Sequence, residues 1–349
     1  MQHANLALAV GLAAALALAA APTGEAADAP KPVKVFLLVG QSNMEGKAKL
    51  SLLEYQAEQP ATRDLFAHLR KDGKWIERDD VWIKFLDRKG PLTVGYGSPN
   101  CIGPELEFGH VVGDRYAEPV LLLKIAWGGR SLYRDFRPPS AGLPAPEVLE
   151  KMLADMKAKK PEATLDDVKA PFGASYRAML EEVASTLANL KTLFPQYEGQ
   201  GCELAGLVWF QGWNDMINDA CTAEYAANLA HFVRDVRRDL KAPALPVVVG
   251  QMGVDGTTDV NAKMQKFKDA QAAIADVPEF KGNVALVKTD VFWDAEAAAV
   301  FKKGWRENLA EWNTVGSDYP YHYLGSAKTM LRIGRAFGEA MLALRGAGK

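Results

Sequence analysis

The chain has 349 residues, of which 48% are hydrophobic and 24% are charged, and its formal net charge at pH 7 is -2. This composition is typical of a folded globular protein and excludes a disordered or fibrous chain. Because there is no excess of Lys and Arg, the composition also argues against nucleic acid and anionic membranes as partners.

The first 27 residues have the features of a secretory signal peptide. Residues 6–21 form an almost unbroken Ala/Leu run, which is short for a membrane span and is followed by Pro22. Small residues allow cleavage after Ala19 or after Ala26. No Lys or Arg precedes the run, so an uncleaved anchor is the alternative. We assign residues 1–27 to this signal segment and expect its cleavage, and hence a secreted or periplasmic protein without membrane attachment.

A buried strand that ends in a serine-bearing turn follows this segment. Residues 35–39 are apolar, and after Gly40 the chain continues as Gln41-Ser42-Asn43. Such runs are typical of central strands in parallel sheets, where sites form just beyond the carboxyl ends of the strands. Ser42 is therefore a candidate nucleophile, and the alternative is a serine that only caps the next helix.

Strand-like runs alternate with helical segments along the rest of the chain. The runs lie at residues 33–39, 81–85, 120–126, 204–210, 246–251 and 284–289, and helical periodicity is clearest at 174–194, 222–240 and 326–344. This alternation predicts one α/β domain over residues 28–349. Residues 136–172, with several prolines and a Lys-rich stretch, break the pattern and are expected to form an insertion or long loop. It either walls a substrate cleft or is a surface excursion.

A serine nucleophile needs a general base, and histidine is the side chain best suited to this role at neutral pH. The four less suitable histidines are His3 in the signal segment, His68 in a charged segment, and His110 and His231 within predicted helices. His322 lies in the irregular stretch 316–325 just before the last helix, where a side chain can point into a cleft. His322 is therefore the candidate base.

The sequence Gly40-Gln41-Ser42-Asn43-Met44 resembles the nucleophile block of the SGNH hydrolases, specifically the sialate O-acetylesterase-like branch that includes acetylxylan esterases. Three further blocks resemble this family in the same chain order, and together they cover most of residues 33–345. The resemblance implies a three-layer α/β/α sandwich around a flavodoxin-like parallel sheet of about five strands. It also implies a serine esterase that needs no cofactor.

The last of these blocks implies the acid that orients the histidine. In the family an Asp stands two or three residues before the catalytic His, whereas Asp318 stands four residues before His322. Pro320 lies between them and bends the chain, which can restore the geometry. Asp318 is the expected acid, with Asp294 or a backbone carbonyl as the alternatives.

The second and third blocks of the family provide hydrogen-bond donors for the oxyanion. The second block matches the glycine pair after the predicted third strand, and its backbone N–H is assigned to Gly129, with Gly128 as the alternative. In the third block the wider superfamily uses an asparagine, which makes Asn214 the first choice and Gln211 the second. The N–H of Ser42 completes the expected set.

Residues next to these blocks are candidates for substrate binding. They are Gln41, Arg130 and Gln211, and for Arg130 the alternative is a surface salt bridge. Aromatic rings near the blocks either stack on sugar faces or pack in the core. These rings belong to Trp127, Trp209, Trp213, Tyr319, Tyr321 and Tyr323.

The sequence leaves disulfide formation open and gives no support for a metal or a nucleotide cofactor. Export would permit one disulfide among Cys101, Cys202 and Cys221, in any of three pairings, and the alternative is three free thiols. The chain contains no His-Glu-x-x-His or Cys-x-x-Cys motif, and no Gly-x-Gly-x-x-Gly follows the first strand. We therefore expect no metal and no nucleotide cofactor.

The sequence thus predicts a secreted serine esterase that removes O-acetyl groups from carbohydrate through an acetyl-serine intermediate. The acetylated carbohydrate, of the sialate or xylan type, is implied by the resemblance alone. The alternative is a non-catalytic carbohydrate-binding protein on a degenerate esterase scaffold. Two departures from the family suggest it, namely the spacing of Asp318 and the presence of Trp213 where the branch more often has Glu.

Overall fold

The structure is a computed structural model that describes residues 31–258 and 260–346. The expected signal peptide, residues 1–27, lies outside these ranges. Within them, no helix combines the length and the apolar character that crossing a membrane requires.

A seven-stranded sheet forms the centre of the protein. Its strands are β1 (Val33–Gly40), β2 (Arg78–Phe85), β3 (Arg88–Leu92), β4 (Val120–Ala126), β5 (Cys202–Phe210), β6 (Val247–Gln251) and β7 (Val284–Lys288). The order across the sheet is β7-β6-β5-β1-β4-β2-β3. All neighbours are parallel except the antiparallel hairpin of β2 and β3.

The predicted α/β/α architecture is confirmed, but the sheet has seven strands where about five were expected. Six strands coincide with the apolar runs of the sequence. The seventh, β3, contains Gly90 and Pro91 and carries no apolar run. It lies at the edge of the sheet, where a proline is tolerated because one side of the strand forms no ladder hydrogen bonds.

Fourteen α-helices lie within the described ranges. They are α1 (Ser42–Glu45), α2 (Leu50–Glu58), α3 (Arg63–Phe66), α4 (Glu105–Gly113), α5 (Pro146–Lys157), α6 (Leu165–Lys169), α7 (Ala174–Ala188), α8 (Leu190–Leu193), α9 (Trp213–Met216), α10 (Asp219–Asp239), α11 (Ala262–Ala272), α12 (Ala295–Lys302), α13 (Leu309–Val315) and α14 (Ala327–Leu344). The longest, α10 and α14, carry the helical periodicity that was visible in the sequence.

The two faces of the sheet are covered by different helices, as two adjacent residues of β5 illustrate. Side chains alternate between the faces of a strand, so Trp209 and Phe210 point in opposite directions. Trp209 packs on Phe232 of α10 at a ring-centroid distance of 4.4 Å, and Phe210 packs on Phe337 of α14 at 5.2 Å. All four rings are buried, and the resulting layers are helix, sheet and helix.

Residues 136–172 contain more regular structure than a loop. They include α5, α6 and a short 3₁₀ turn at Pro139–Ala141, and they form a small apolar cluster that also includes Cys221 of α10. The Ser140 N–H donates to Asp235 Oδ2 of the same helix at 2.8 Å. Cys101, Cys202 and Cys221 are all free thiols, so none of the three conceivable disulfides is present.

Candidate active site

The carboxyl ends of three neighbouring strands meet at one end of the sheet. Gly40 of β1 is in register with Ala126 of β4 on one side and with Phe210 of β5 on the other. A Cβ at position 40 would lie 2.1 Å from the Phe210 carbonyl oxygen, so this close approach requires glycine. The turns that follow β1, β4 and β5 are thereby brought side by side.

Ser42 begins the one-turn helix α1 directly after β1. A lysine within the apolar strand β4 holds this turn in place. The ammonium of Lys124 is buried and donates to the Glu45 carbonyl oxygen at 2.6 Å, to the Tyr96 carbonyl oxygen at 2.7 Å and to Glu105 Oε2 at 2.7 Å. All three of its protons are therefore used. A lysine between Leu123 and Ile125 was a sequence signal that our prediction overlooked.

Gln41 and Gln211 were expected to bind substrate, but the structure places both beneath the Ser42 turn. Each is no more than 3% exposed. Gln41 Oε1 accepts hydrogen bonds from Gln211 Nε2 and from the Gly212 N–H, both at 3.1 Å. Gln211 Nε2 also donates to the Arg130 carbonyl oxygen at 3.0 Å. The two amides thus join the turns after β1, β4 and β5. The sequence did not predict this, because the position of a polar residue after a strand does not reveal which way its side chain points.

His322 and Asp318 are in direct contact. His322 Nδ1 and Asp318 Oδ1 are 2.9 Å apart, and Asp318 Oδ1 also accepts the Tyr319 N–H at 2.6 Å. Burial acts to raise the pKa of Asp318, but the hydrogen bonds from His322 and Tyr319 outweigh it and lower that pKa below its ordinary value. Asp318 is therefore a carboxylate at neutral pH and can accept the Nδ1 proton of His322.

The four-residue spacing between these two side chains is accommodated by an unusual turn. From Pro320 the backbone forms a 3₁₀ segment in which Tyr323 and Leu324 have φ angles of 53° and 60°. The Leu324 carbonyl oxygen accepts the N–H groups of Ser317 and Asp318 at 2.8 Å and 3.1 Å, which closes the loop on itself. The alternative acid, Asp294, instead accepts a hydrogen bond from Ser326 Oγ at 2.6 Å and caps α12.

The Ser42 turn and the histidine segment touch each other. Asn43 Nδ2 donates to the Tyr321 carbonyl oxygen at 3.1 Å, so the residue after Ser42 is bonded to the residue before His322. Among residues 31–258 and 260–346, no hydrogen bond is made by the Ser42 hydroxyl or by His322 Nε2. Both atoms are thus available for chemistry.

The expected oxyanion donors lie in the neighbouring turns. Gly129 has a φ of +69°, which favours glycine, and its N–H donates to no other residue in the described part of the chain. The N–H of the alternative donor, Gly128, is used in a bond of 2.8 Å to Glu45 Oε1. Asn214 Nδ2 donates to the Gly129 carbonyl oxygen, and an amide nitrogen has a second proton to offer. The Ser42 N–H likewise makes no backbone bond in these ranges.

Asp215 ties the second and third turns together. This fully buried carboxylate accepts the N–H groups of Leu132 and Tyr133, each at 2.8 Å, and Gln211 Nε2 at 2.6 Å. Burial raises the pKa of Asp215 to about 6, although the three hydrogen bonds oppose the shift. The bonds of Asp215 to the turn after β4 were not predicted from the sequence.

Arg130 lies at the rim of this arrangement. Its side chain is 46% exposed, and Nη1 is 3.2 Å from Oδ1 of the buried Asp135. Asp135 also accepts the N–H and the hydroxyl of Ser131 at 2.8 Å and 2.9 Å. Arg130 is therefore held by an ion pair and remains open to solvent on its other side.

The aromatic residues near the blocks divide into two groups. Trp209 and Tyr323 are fully buried, and the Tyr323 hydroxyl accepts the Gly253 N–H at 2.8 Å. Tyr321 lies 4.5 Å from the His322 ring and 5.4 Å from the Trp213 ring, measured between centroids. These half-buried rings border the Ser42–His322 arrangement, whereas the buried ones serve the core. Within the described ranges, no group of three or more His, Cys, Asp or Glu side chains is arranged to hold a metal.

A free serine hydroxyl, a His–Asp pair and unbonded N–H groups at the strand ends of an α/β/α sandwich are the features by which serine hydrolases are recognised. The model of the family described as carbohydrate esterase, sialic acid-specific acetylesterase, matches residues 32–292, and the chain belongs to this family. It is thus a carboxylic ester hydrolase of the carbohydrate acetylesterase type, in agreement with the resemblance to the SGNH hydrolases. The match ends before Asp318 and His322. The evidence for the contact of these two residues is therefore the structure of this chain and not the family match.

Solved structures that are similar to this chain were also found. A protein from Arabidopsis thaliana has 16% sequence identity and a TM-score of 0.51, covering 89% of this chain and 98% of its own. A carbohydrate acetylesterase from Xanthomonas citri has 14% identity and a TM-score of 0.48, covering 88% of this chain and 56% of its own. NanS has 17% identity and a TM-score of 0.41, covering 75% of this chain and 78% of its own. A comparison with curated protein sequences gave no match.

Proposed function

We propose that this carbohydrate acetylesterase is exported and removes O-acetyl groups from sialate- or xylan-type glycans through an acetyl-Ser42 intermediate. The observation that carries the proposal is the 2.9 Å contact between His322 Nδ1 and Asp318 Oδ1. A neutral imidazole that donates Nδ1–H to Asp318 has its Nε2 lone pair available as a base, and the His322 segment is bonded to the Ser42 turn through Asn43.

The reaction proceeds in two acyl-transfer steps. His322 Nε2 takes the Ser42 proton as Oγ attacks the acetyl carbonyl carbon, and the oxyanion is held by the N–H groups of Ser42 and Gly129 and by Asn214 Nδ2. His322 returns the proton to the departing sugar hydroxyl, which leaves acetyl-Ser42. A water molecule, deprotonated by His322, then releases acetate and restores the serine.

Hydrolysis of p-nitrophenyl acetate tests this assignment. Wild type should turn over the ester, and Ser42→Ala should lower kcat by about 10⁴-fold or more, because the nucleophile is lost. Ser140→Ala is the matched control, since Ser140 is an exposed serine bonded to His231 away from the Ser42 turn, and it should retain the wild-type rate. A Ser42→Ala enzyme with unchanged kcat would contradict the proposal.

The rival function is non-catalytic binding of acetylated glycans. A wild-type protein that binds acetylated xylan but releases no acetate would establish it. Comparing acetate release from acetylated xylan with that from O-acetylated sialic acid identifies the glycan. Export is tested by the N-terminal sequence of the mature protein, which should begin after Ala19 or after Ala26.

A further inference from the structure

An aromatic cavity adjoins the histidine segment. It has a volume of about 280 Å³ and is bounded by α12, α13, the stretch around Asp318 and the residue Lys49. Its aromatic lining consists of Phe301, Trp305, Trp312 and Tyr319. Except for Lys49, the lining residues lie beyond residue 292, where the family match ends, so the cavity is a feature of this chain that the match does not cover.

Two of the rings that line the cavity, those of Trp305 and Tyr319, form a corner in its wall. Trp305 and Tyr319 meet nearly at right angles, with interplanar angle 85° and centroids 6.2 Å apart. Trp305 is backed by Phe301 in a stacked arrangement at 6.4 Å, and Trp312 lies 5.9 Å away. This packing fixes the orientation of Trp305 before any ligand arrives, which lowers the entropic cost of binding against it.

The corner continues without interruption to the reacting groups. Tyr319 stacks on Tyr321 with an interplanar angle of 5° at 5.4 Å, and Tyr321 lies against His322. Asp318, the partner of His322, itself lines the cavity. A ligand in the cavity therefore lies against Asp318, and only the ring of Tyr321 stands between Tyr319 and His322.

Polar groups stand at the margin of the aromatic surface. Lys49 and Asn313 are exposed, and neither the Lys49 ammonium nor the Asn313 amide makes a hydrogen bond or ion pair within the described ranges. The guanidinium of Arg306 also lies over the Trp305 ring, 4.8 Å from its centroid. Aromatic rings accompanied by such polar groups suit a pyranose ring, whose C–H face is apolar and whose hydroxyls lie at its edge. The volume is near the lower end of the range of about 300–1,000 Å³ typical of small-molecule sites, and it fits a ring of this size.

We propose that this cavity is a subsite for a second sugar ring of the same acetylated saccharide. The preferred substrate is then an acetylated oligosaccharide or polysaccharide, and an acetylated monosaccharide is a poorer one. This inference rests on the proposed function, because the subsite is defined by its position relative to Ser42 and His322.

The test compares kcat/KM for an acetylated oligosaccharide, the monosaccharide with the same acetyl group, and p-nitrophenyl acetate. In wild type the oligosaccharide should be preferred over the monosaccharide. Trp305→Ala should reduce this preference about three- to tenfold, the usual effect of one aromatic contact. Trp75→Ala is the matched control, because Trp75 is a half-buried tryptophan in the hairpin of residues 70–75 and does not line the cavity.

A second variant tests the subsite independently, in case Trp305→Ala does not fold. Asn313→Ala changes an exposed position of α13 and should also reduce the oligosaccharide preference, by about twofold or more for one lost hydrogen bond. Equal kcat/KM values for the two saccharides in wild type, or an unchanged preference in both variants, would overturn the subsite while the esterase function stands. A wild-type protein that hydrolyses none of the three esters would instead overturn the proposed function.

Discussion

At the scale of single residues, the position of Asp318 decides whether His322 can act as a base. The sequence left three candidates for the group that accepts a hydrogen bond from Nδ1 of His322. A spacing of four residues between Asp318 and His322 does not reveal the path of the backbone. The path depends on Tyr323 and Leu324, two residues other than glycine with positive φ, and no sequence pattern predicts such a conformation. Once they are placed, Asp318 contacts His322 and Asp294 caps a helix.

We therefore expect Asp318→Asn to lower kcat for ester hydrolysis by about 10³–10⁴-fold, because an amide at this position favours the wrong tautomer of His322. Steady-state kinetics with p-nitrophenyl acetate measures the effect. Asp294→Asn is the matched control, and it should reduce the free energy of unfolding while kcat remains close to the wild-type value. A larger loss of kcat in Asp294→Asn than in Asp318→Asn would reverse the assignment.

The positions of the proposed nucleophile and base in the fold were easier to predict than their surroundings. Ser42 follows a continuous apolar run that is typical of a buried strand, and His322 remained after the other histidines were set aside. Gln41 and Gln211 are buried in a hydrogen-bond network between the turns after β1, β4 and β5, and their part in substrate binding stays a prediction. Their direction is set by the partners that three different strands bring together, and this information is not local to either sequence block.

At the scale of elements, the site depends on the alignment of the turns that follow β1, β4 and β5. Backbone register brings the three turns together, and buried polar side chains then lock them. Lys124 holds the first turn to β4, and Asp215 holds the third turn to the second. The strands were predictable from their apolar runs, but the edge strand β3 was not, because its sequence is polar and contains proline.

Because the pKa of Asp215 is raised, the contribution of this residue to stability depends on pH. Because its folded-state pKa of about 6 exceeds the ordinary Asp value of about 3.9, the native state binds this proton more tightly. The resulting stabilisation is complete below about pH 4 and is lost as the pH rises through about 6. Relative to Asp215→Asn, the wild-type free energy of unfolding should therefore fall by about 2 kcal/mol between pH 4 and pH 7.

Urea unfolding of both proteins at a series of pH values measures this difference. Asp64→Asn, at an exposed carboxylate, controls for the general effect of removing one acidic charge. A wild-type advantage that stays constant from pH 4 to pH 7, or grows as the pH rises, would show that the hydrogen bonds from Leu132, Tyr133 and Gln211 outweigh burial.

At the scale of the whole molecule, the three-layer sandwich places the proposed reactive groups on segments that are far apart in the chain. Ser42 follows the first strand, and His322 precedes the last helix. The alternation of strands and helices was sufficient to predict an α/β domain, and the resemblance to the SGNH hydrolases implied its three layers. The aromatic cavity could not be predicted in the same way, because Lys49 and Trp305 are brought to one surface only by the tertiary fold.

The most direct test of the Ser42 mechanism is peptide mass spectrometry of protein that has been acid-quenched during turnover of p-nitrophenyl acetate. We predict one acetyl group on the peptide that contains Ser42, and its absence from this peptide in Ser42→Ala. Acetyl groups that nonspecific chemistry adds to lysines should be the same in both proteins. Turnover by wild type with no acetylation of Ser42, in samples quenched before substrate is exhausted, would contradict the mechanism.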